Sequence, residues 1–231
     1  MNQASSCDSN VRFAQRHAVT LGIAPWPGRA LRRSRRDDTV GSVSSLASHT
    51  GPVHSEQRAM GAKFGDFAGW SMPLEYAADG PAGAGGVIAE HEAVRERVGV
   101  FDVSHMGTFV VQGEGAKDVL NEVLTNDLAK IGPGRAQYSL LCNDGGGVVD
   151  DVFVYLRSDS DVLVVPNAAN SAMVTATVER VLESSDVRVL DQQHQTAIFA
   201  IQGPLAAEVL ADVGLPHDLA YLHFTDTDTD T

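Results

Sequence analysis

The spacing of apolar and polar positions divides the chain into segments of different period. From Tyr138 to Asn170 it reads YSLLCNDGGGVVDDVFVYLRSDSDVLVVPNAAN, three apolar runs separated by Asn143-Asp144-Gly145-Gly146-Gly147 and by Asp159-Ser160-Asp161. β-Branched and aromatic runs bounded by such turn formers predict three strands in an antiparallel meander. Upstream, Val87 to Val98 repeats at helical spacing, with Ile88, His91, Val94 and Val98 on one face and Gly99 as its stop. Thr108 to Gln112 reads as a strand, and Ala116 to Leu124 as a helix with Val119, Leu120, Val123 and Leu124 inward. The Gly132-Pro133-Gly134 turn then delivers the chain into the meander.

After the meander, Asn170 is placed to cap a helix running to about Glu183, with Val174, Val178, Val181 and Leu182 buried. Strands follow at Val187 to Leu190 and Thr196 to Gln202, and Gly203-Pro204 opens a last helix with Leu205, Val209 and Val213 facing in. This order predicts an α+β fold, mostly antiparallel sheet with flanking helices.

Other stretches carry weaker periodicity. Residues 1–48 show no sustained repeat and hold Arg32, Arg33, Arg35 and Arg36 ahead of a Ser-rich tract, which predicts a disordered extension. A segment translated from an over-early start would look the same. So would a mitochondrial-type targeting segment, although Asp8, Asp37 and Asp38 oppose that. GPVHSEQRAMGAKFGDFAGWSMPLEY predicts an irregular opening to the folded domain, with Phe67 and Trp70 as core anchors, and residues 77–86 a flexible loop. Asp102, Ser104 and His105 lie too close on one extended segment to converge as a triad, so His105 reads as a structural histidine with its hydrogen bonds satisfied. His217 to Thr231, ending in TDTDTDT, reads as a polar tail that buries nothing, and suggests that the chain stops before its fold does. The domain is accordingly placed at 49–224, with 225–231 as the tail proper.

One irregularity stands inside the second strand of the meander: Asp150 and Asp151 interrupt Val148, Val149, Val152, Phe153, Val154 and Tyr155. Successive side chains point to opposite faces, so Asp151 shares a face with Phe153 and Tyr155, and Asp150 one with Val152, Val154 and Leu156. Next to a glycine turn, Asp150 reads as a structural carboxylate bonding nearby backbone N–H groups. Asp151, flanked by aromatic rings that could wall a pocket, reads as a ligand-binding acid. With Tyr138, Phe153 and Tyr155 nearby, it suits a flat, nitrogen-rich ligand.

Charge and composition narrow the picture further. Of 231 residues 43% are hydrophobic, enough for a real core. Residues 1–48 hold seven Arg against three Asp, a net +4, which leaves −17 on the remainder of a chain whose total is −13. An acidic body argues against nucleic acid as a partner. Cys7 and Cys142, far apart and alone, form neither a disulfide framework nor a metal-ligand spacing and fit a reducing, intracellular compartment. No apolar run reaches the roughly 18 residues a membrane-spanning helix needs, so no membrane is expected. Gly145-Gly146-Gly147 lies between two strands, which makes it a hairpin turn rather than a phosphate loop, and no histidine pair stands at zinc spacing.

Six motifs, in order GAKFGDFAGWSMPLEY, VFDVSHMGTFVVQG, LTNDLAKI, AQYSLLCNDGGGVVDDVFVY, VVPNAAN and AIFAIQGP, resemble the aminomethyltransferase family, the T-protein of the glycine cleavage system. The resemblance runs from about Gly51 to Phe224. It implies a folate-binding aminomethyltransferase-like fold and transfer of a one-carbon unit from the aminomethyl-lipoyl arm of the H-protein to tetrahydrofolate, with release of ammonia. It further implies that Asp151 is the carboxylate beside the folate nitrogens, and that Met106, Tyr138, Phe153, Tyr155 and Asn167 line the folate pocket. A cytoplasmic enzyme is expected, or a mitochondrial one if residues 1–48 are a transit segment. The family's later arginine- and glutamate-bearing motifs and its C-terminal barrel domain have no counterpart in this sequence. A non-catalytic folate-binding module, the folate-binding part of a dimethylglycine or sarcosine oxidising enzyme, and an inactive fragment therefore stand as alternatives.

Overall fold

The computed structural model of the chain describes residues 20–25, 49–79, 85–182 and 186–227. Its centre is the expected meander: β7 (Arg135–Cys142), β8 (Val148–Ser158) and β9 (Asp161–Val165) pair antiparallel in sequence. Asn143 ties the glycine turn between the first two, its Oδ1 accepting from the N–H groups of Gly145 and Gly147 at 3.0 and 2.9 Å. Two further strands complete the sheet, β6 (Phe109–Gln112) against β9 and β10 (Arg188–Asp191) against β6, giving the order β10-β6-β9-β8-β7. The fold is the predicted α+β arrangement with mostly antiparallel sheet.

One face of this sheet is covered by α3 (Ala116–Val123) and α4 (Ser171–Leu182). Val152, Val154 and Leu156 of β8 meet Leu120 and Val174, Val178 and Leu182 there, in the larger of two apolar clusters. The buried faces of both helices agree with their spacing. Ala116 and Leu120 are buried four residues apart, and Val119, Val123 and Leu124 pack at the margin.

The opposite face carries a smaller cluster, Val110, Ala136, Tyr155, Leu163, Val165 and Ile198, with Met106, Phe153, Leu222 and Phe224 packed against it. Ile198 comes from β11 (Thr196–Gln202), centre of a three-stranded antiparallel sheet with β1 (Thr20–Pro25) and β5 (Gly99–Asp102). Thr20–Pro25 thus forms a strand inside the segment expected to be disordered; the rest of 1–48 up to Ala47 and Ser48 lies outside the described residues.

Several expectations fail for reasons visible in the contacts. The opening stretch is not irregular: a short helix, α1 (His54–Ala59), precedes a hairpin of β3 (Ala62–Phe67) and β4 (Trp70–Tyr76), with β2 (His49–Thr50) parallel to β4. Its turn places Ala68 and Gly69 at φ +53° and +83°, the pair of positive values a two-residue hairpin of this hand needs, and Ala is a rare choice there. Trp70 is buried as expected, but Phe67 is 56% exposed.

On α2 (Val87–Glu96) Ile88 is 75% exposed and His91 is exposed too. The Glu90 carboxylate accepts from the N–H groups of Tyr76 and Gly86 at 2.7 and 3.1 Å, which fixes the rotation of the helix and turns Ala89 and Ala93 toward the body beside the expected Val94. Those same bonds anchor both ends of the loop expected to be flexible, whose residues 80–84 lie outside the described ones. The final helix, α5 (Ala206–Asp212), buries Ala206 and Leu210 and leaves Leu205 and Val213 exposed. Nor does the C-terminal stretch bury nothing. Leu222 and Phe224 join the second cluster, and Ala136 N–H donates to Leu222 O at 2.8 Å while Phe224 N–H donates to Gly134 O at 3.0 Å.

Candidate functional site

Strand alternation puts Asp151 on the face of the second cluster, at the end of β8 next to the glycine turn. β7 runs antiparallel beside it with Leu140 opposite Asp151 and Tyr138 opposite Phe153, so the phenol of Tyr138 reaches the carboxylate diagonally. Tyr138 Oη donates to Asp151 Oδ2 at 2.5 Å. Asn167, at the end of β9, reaches the other oxygen: its Nδ2 donates to Asp151 Oδ1 at 3.1 Å. The carboxylate is thus gripped on both oxygens by side chains from two neighbouring strand regions while remaining exposed to solvent.

The aromatic rings extend from this group in one row. Phe153 meets Tyr138 edge-on with centroids 5.2 Å apart, Tyr155 lies 6.4 Å beyond Phe153, and Phe224 meets Tyr155 edge-on at 5.4 Å. Tyr138 is 46% exposed, and Tyr155 is buried in the apolar cluster with Met106 packed on its margin. Of the six residues singled out from the sequence, Tyr138, Asp151, Phe153 and Asn167 form one contiguous patch. Tyr155 and Met106 belong to its apolar extension. Met106 arrives there because Gly107 N–H donates to Pro166 O at 2.9 Å, a close approach in which any Cβ on Gly107 would collide with Ser171 and Pro166.

The electrostatics favour a protonated phenol beside an acceptor. The hydrogen bond to Asp151 comes first, then burial and the charges of Asp151 and Asp150, and together they raise the Tyr138 pKa above its ordinary value. Burial alone pushes the Tyr155 hydroxyl well up. Both tyrosines stay neutral at physiological pH.

Asp150 is the structural carboxylate expected and does accept a backbone N–H, but its partners lie away from the glycine turn. It neither bonds the glycine turn nor pairs with a cation in the described contacts; at 3% exposure it accepts from Asn167 N–H at 2.9 Å, Asn167 Nδ2 at 3.0 Å and Asn170 Nδ2 at 2.7 Å. Asn170 therefore spends its amide group on Asp150, although its carbonyl accepts the first bond of α4 from Val174 N–H at 2.9 Å. Sequence reasoning missed Asn170 and Phe224. The only available signal was the apolar VVP run ahead of two asparagines, which does not say what they bond.

Asp102, Ser104 and His105 form no triad. Asp102 accepts from Ser104 N–H and Gln57 Nε2 at 3.0 and 3.2 Å, and Ser104 Oγ accepts from Ile198 N–H at 3.0 Å. His105 is not the satisfied histidine expected. Its Nδ1 is buried with no hydrogen-bond partner, its ring meets Phe67 edge-on at 5.2 Å, and burial lowers its pKa against the opposing pull of Asp102. Among the described residues, no group of three or more His, Cys, Asp or Glu could hold a metal ion, and no helix is long and apolar enough to cross a membrane.

A carboxylate held open between a phenol and an amide, backed by a row of rings, makes this an α+β domain of the class with an exposed acceptor site, a geometry that can take hydrogen bonds from a flat ligand rich in N–H groups. Comparison with known proteins gives this class its family. The GCVT N-terminal domain family matches residues 53–230, and the chain belongs to it. It is 45% identical over 177 residues to an aminomethyltransferase of Mycobacterium avium (strain 104), covering 77% of this chain and 46% of that protein. With an aminomethyltransferase of Parafrankia sp. (strain EAN1pec) it shares 47% over 177 residues, again 77% of this chain and 47% of the other. The structure superposes on that of glycine cleavage system aminomethyltransferase T from Bartonella henselae with a TM-score of 0.69 at 35% identity, covering 75% of this chain and 46% of that one. The chain spans about half the length of the relatives it matches.

Proposed function

We propose that the patch formed by Tyr138, Asp151, Phe153 and Asn167 binds tetrahydrofolate, and that the chain supplies the folate-binding part of an aminomethyltransferase. The observation that carries this reading is the gripped, solvent-facing carboxylate of Asp151, bonded at 2.5 Å by Tyr138 and at 3.1 Å by Asn167. The residues fit such a substrate: Asp151 is an acceptor for ring or aryl N–H groups, Phe153 and Tyr138 offer faces for stacking, and Met106 and Tyr155 supply apolar walls.

In this reading the one-carbon unit comes from the aminomethyl-lipoyl arm of the H-protein, passes to tetrahydrofolate and leaves ammonia. Asp151 orients the attacking amine and stabilises the cationic, iminium-like charge that develops as ammonia departs, while Tyr138 and Asn167 keep the carboxylate from rotating. Positioning is the larger effect, because a carboxylate pre-set by two donors needs no reorganisation during the reaction. The reaction is assigned to the cytoplasm, in keeping with the bacterial relatives, with the H-protein as partner.

Titration calorimetry with tetrahydrofolate tests the binding half of the reading, and H-protein-dependent ammonia release tests the catalytic half. Asp151→Asn should reduce affinity or turnover at least tenfold in a protein that keeps its melting temperature. Unchanged binding in the folded variant would remove Asp151 from the site. Binding without ammonia release would leave this chain a folate-binding module.

A further inference from the structure

Asp150 is a buried carboxylate with three hydrogen bonds, all from amide groups of two asparagines. One of those donors is also the group that holds Asp151. Asn167 Nδ2 lies 3.0 Å from Asp150 Oδ1, 3.1 Å from Asp151 Oδ1 and 3.1 Å from the carbonyl oxygen of Asp151. Three oxygens around one nitrogen settle which end of the amide is which, because an amide oxygen turned to that point would face three acceptors and no donor. The strand carries this geometry across the sheet: Asp150 faces the helices and Asp151 the open patch, and Asn167, just past the end of the central strand β9, touches both.

We infer that Asp150 is a positioning residue: by holding Asn167 through both its backbone N–H and its side chain, it sets the amide so that Nδ2 braces Asp151 and Oδ1 is left to the ligand. No donor reaches that Oδ1 among the described hydrogen bonds, so the patch presents two neighbouring acceptors, the Asp151 carboxylate and the Asn167 carbonyl. Such a pair recognises a ligand edge with two N–H donors and rejects one that offers an acceptor in either place. The inference rests on the folate reading of the patch, and it adds the residue that fixes the polarity of the site from the opposite face of the sheet.

Asp150→Asn preserves volume but turns one of the two acceptor oxygens into an NH2 that faces donors of Asn167 and Asn170, which removes the paired hold on Asn167 and frees its amide to turn over. Calorimetry on the full chain with tetrahydrofolate should show at least tenfold weaker binding for Asp150→Asn, a comparable loss for Asn167→Leu, and less than a twofold further loss when the two are combined. A purely structural role would give additive losses, or a lowered melting temperature with affinity kept within twofold; either result overturns the inference. If Asp150→Asn does not fold, Asn170→Ala takes its place, removing one of the three donors that hold Asp150. A threefold or greater loss of affinity supports the inference and an unchanged affinity overturns it. An Asp151→Asn variant run alongside separates the two levels. If it loses binding while Asp150→Asn does not, the positioning role falls and the folate site stands. If the parent chain does not bind tetrahydrofolate, the folate reading falls and takes the positioning role with it.

Discussion

The two faces of β8 carry one aspartate each, one residue apart, and their surroundings differ. On the helix-covered face Asp150 is closed in with Val152, Val154 and Leu156, and every contact it makes is to the protein. On the other, Asp151 is exposed, and Tyr138 and Asn167 bond its oxygens without covering it. The difference teaches that burial assigns the roles. A buried carboxylate is affordable only with its hydrogen bonds complete, so its chemistry is spent inside the fold, whereas an open one held in place keeps acceptor capacity for a ligand.

Breaking the covered face should have the largest effect. Val154 is fully buried, and Val154→Asp would place an unpaired charge in the main cluster at a cost of several kcal/mol, enough to abolish a cooperative thermal transition. Asp150→Ala leaves three amide donors without their acceptor and should lower stability by about 2–4 kcal/mol in urea denaturation. Asp151→Ala, on the open face, should change stability by no more than about 0.5 kcal/mol while removing ligand binding. That contrast in stability, lost on the covered side of the strand and kept on the open one while binding falls on both because Asp150 acts through Asn167, is the sharpest form of the comparison. Equal stability losses would show that the faces are not separate.

Smaller effects test the extension of the open face. Phe224→Ala removes one ring from the row and its packing on Tyr155, and should cost about 1–2 kcal/mol by the same denaturation measurement. His105 adds a pH dependence. Its folded-state pKa is lowered by burial from an ordinary 6.5, so the unfolded chain takes up the proton first. Stability is therefore complete above about pH 6.5 and falls as the pH drops below it toward the lowered folded-state value, and His105→Gln should flatten that decline. An unchanged slope in the variant would assign the acid sensitivity to other groups.

Much of the architecture was legible along the chain because its signals are local. Turn formers between β-branched runs marked β7, β8 and β9, and the spacing of Val174, Val178 and Leu182 marked the buried side of α4. Alternation alone also separated Asp150 from Asp151 and placed Phe153 and Tyr155 with the latter. The hairpin of β3 and β4 was not legible, since Ala68-Gly69 is a weak turn signal and Phe67 looks like core until its exposure is measured. The rotations of α2 and α5 were missed for a related reason: Glu90 decides the first by bonding Tyr76 and Gly86, and a charged residue counts against burial in any apolar periodicity.

By itself the sequence determined the meander, the two helices packed on it and the faces of the two aspartates, all of them consequences of period and turn chemistry within a few residues, while its motifs carried the resemblance to the family to which the chain belongs. Tertiary structure alone decided what the aspartates touch. Asn167 and Asn170 meet Asp150 from 17 and 20 residues away, and Phe224 reaches Tyr155 from a stretch that reads as a tail. A hydrogen bond or ring contact between distant segments leaves no period behind it, so it is visible only once the sheet has brought the partners together.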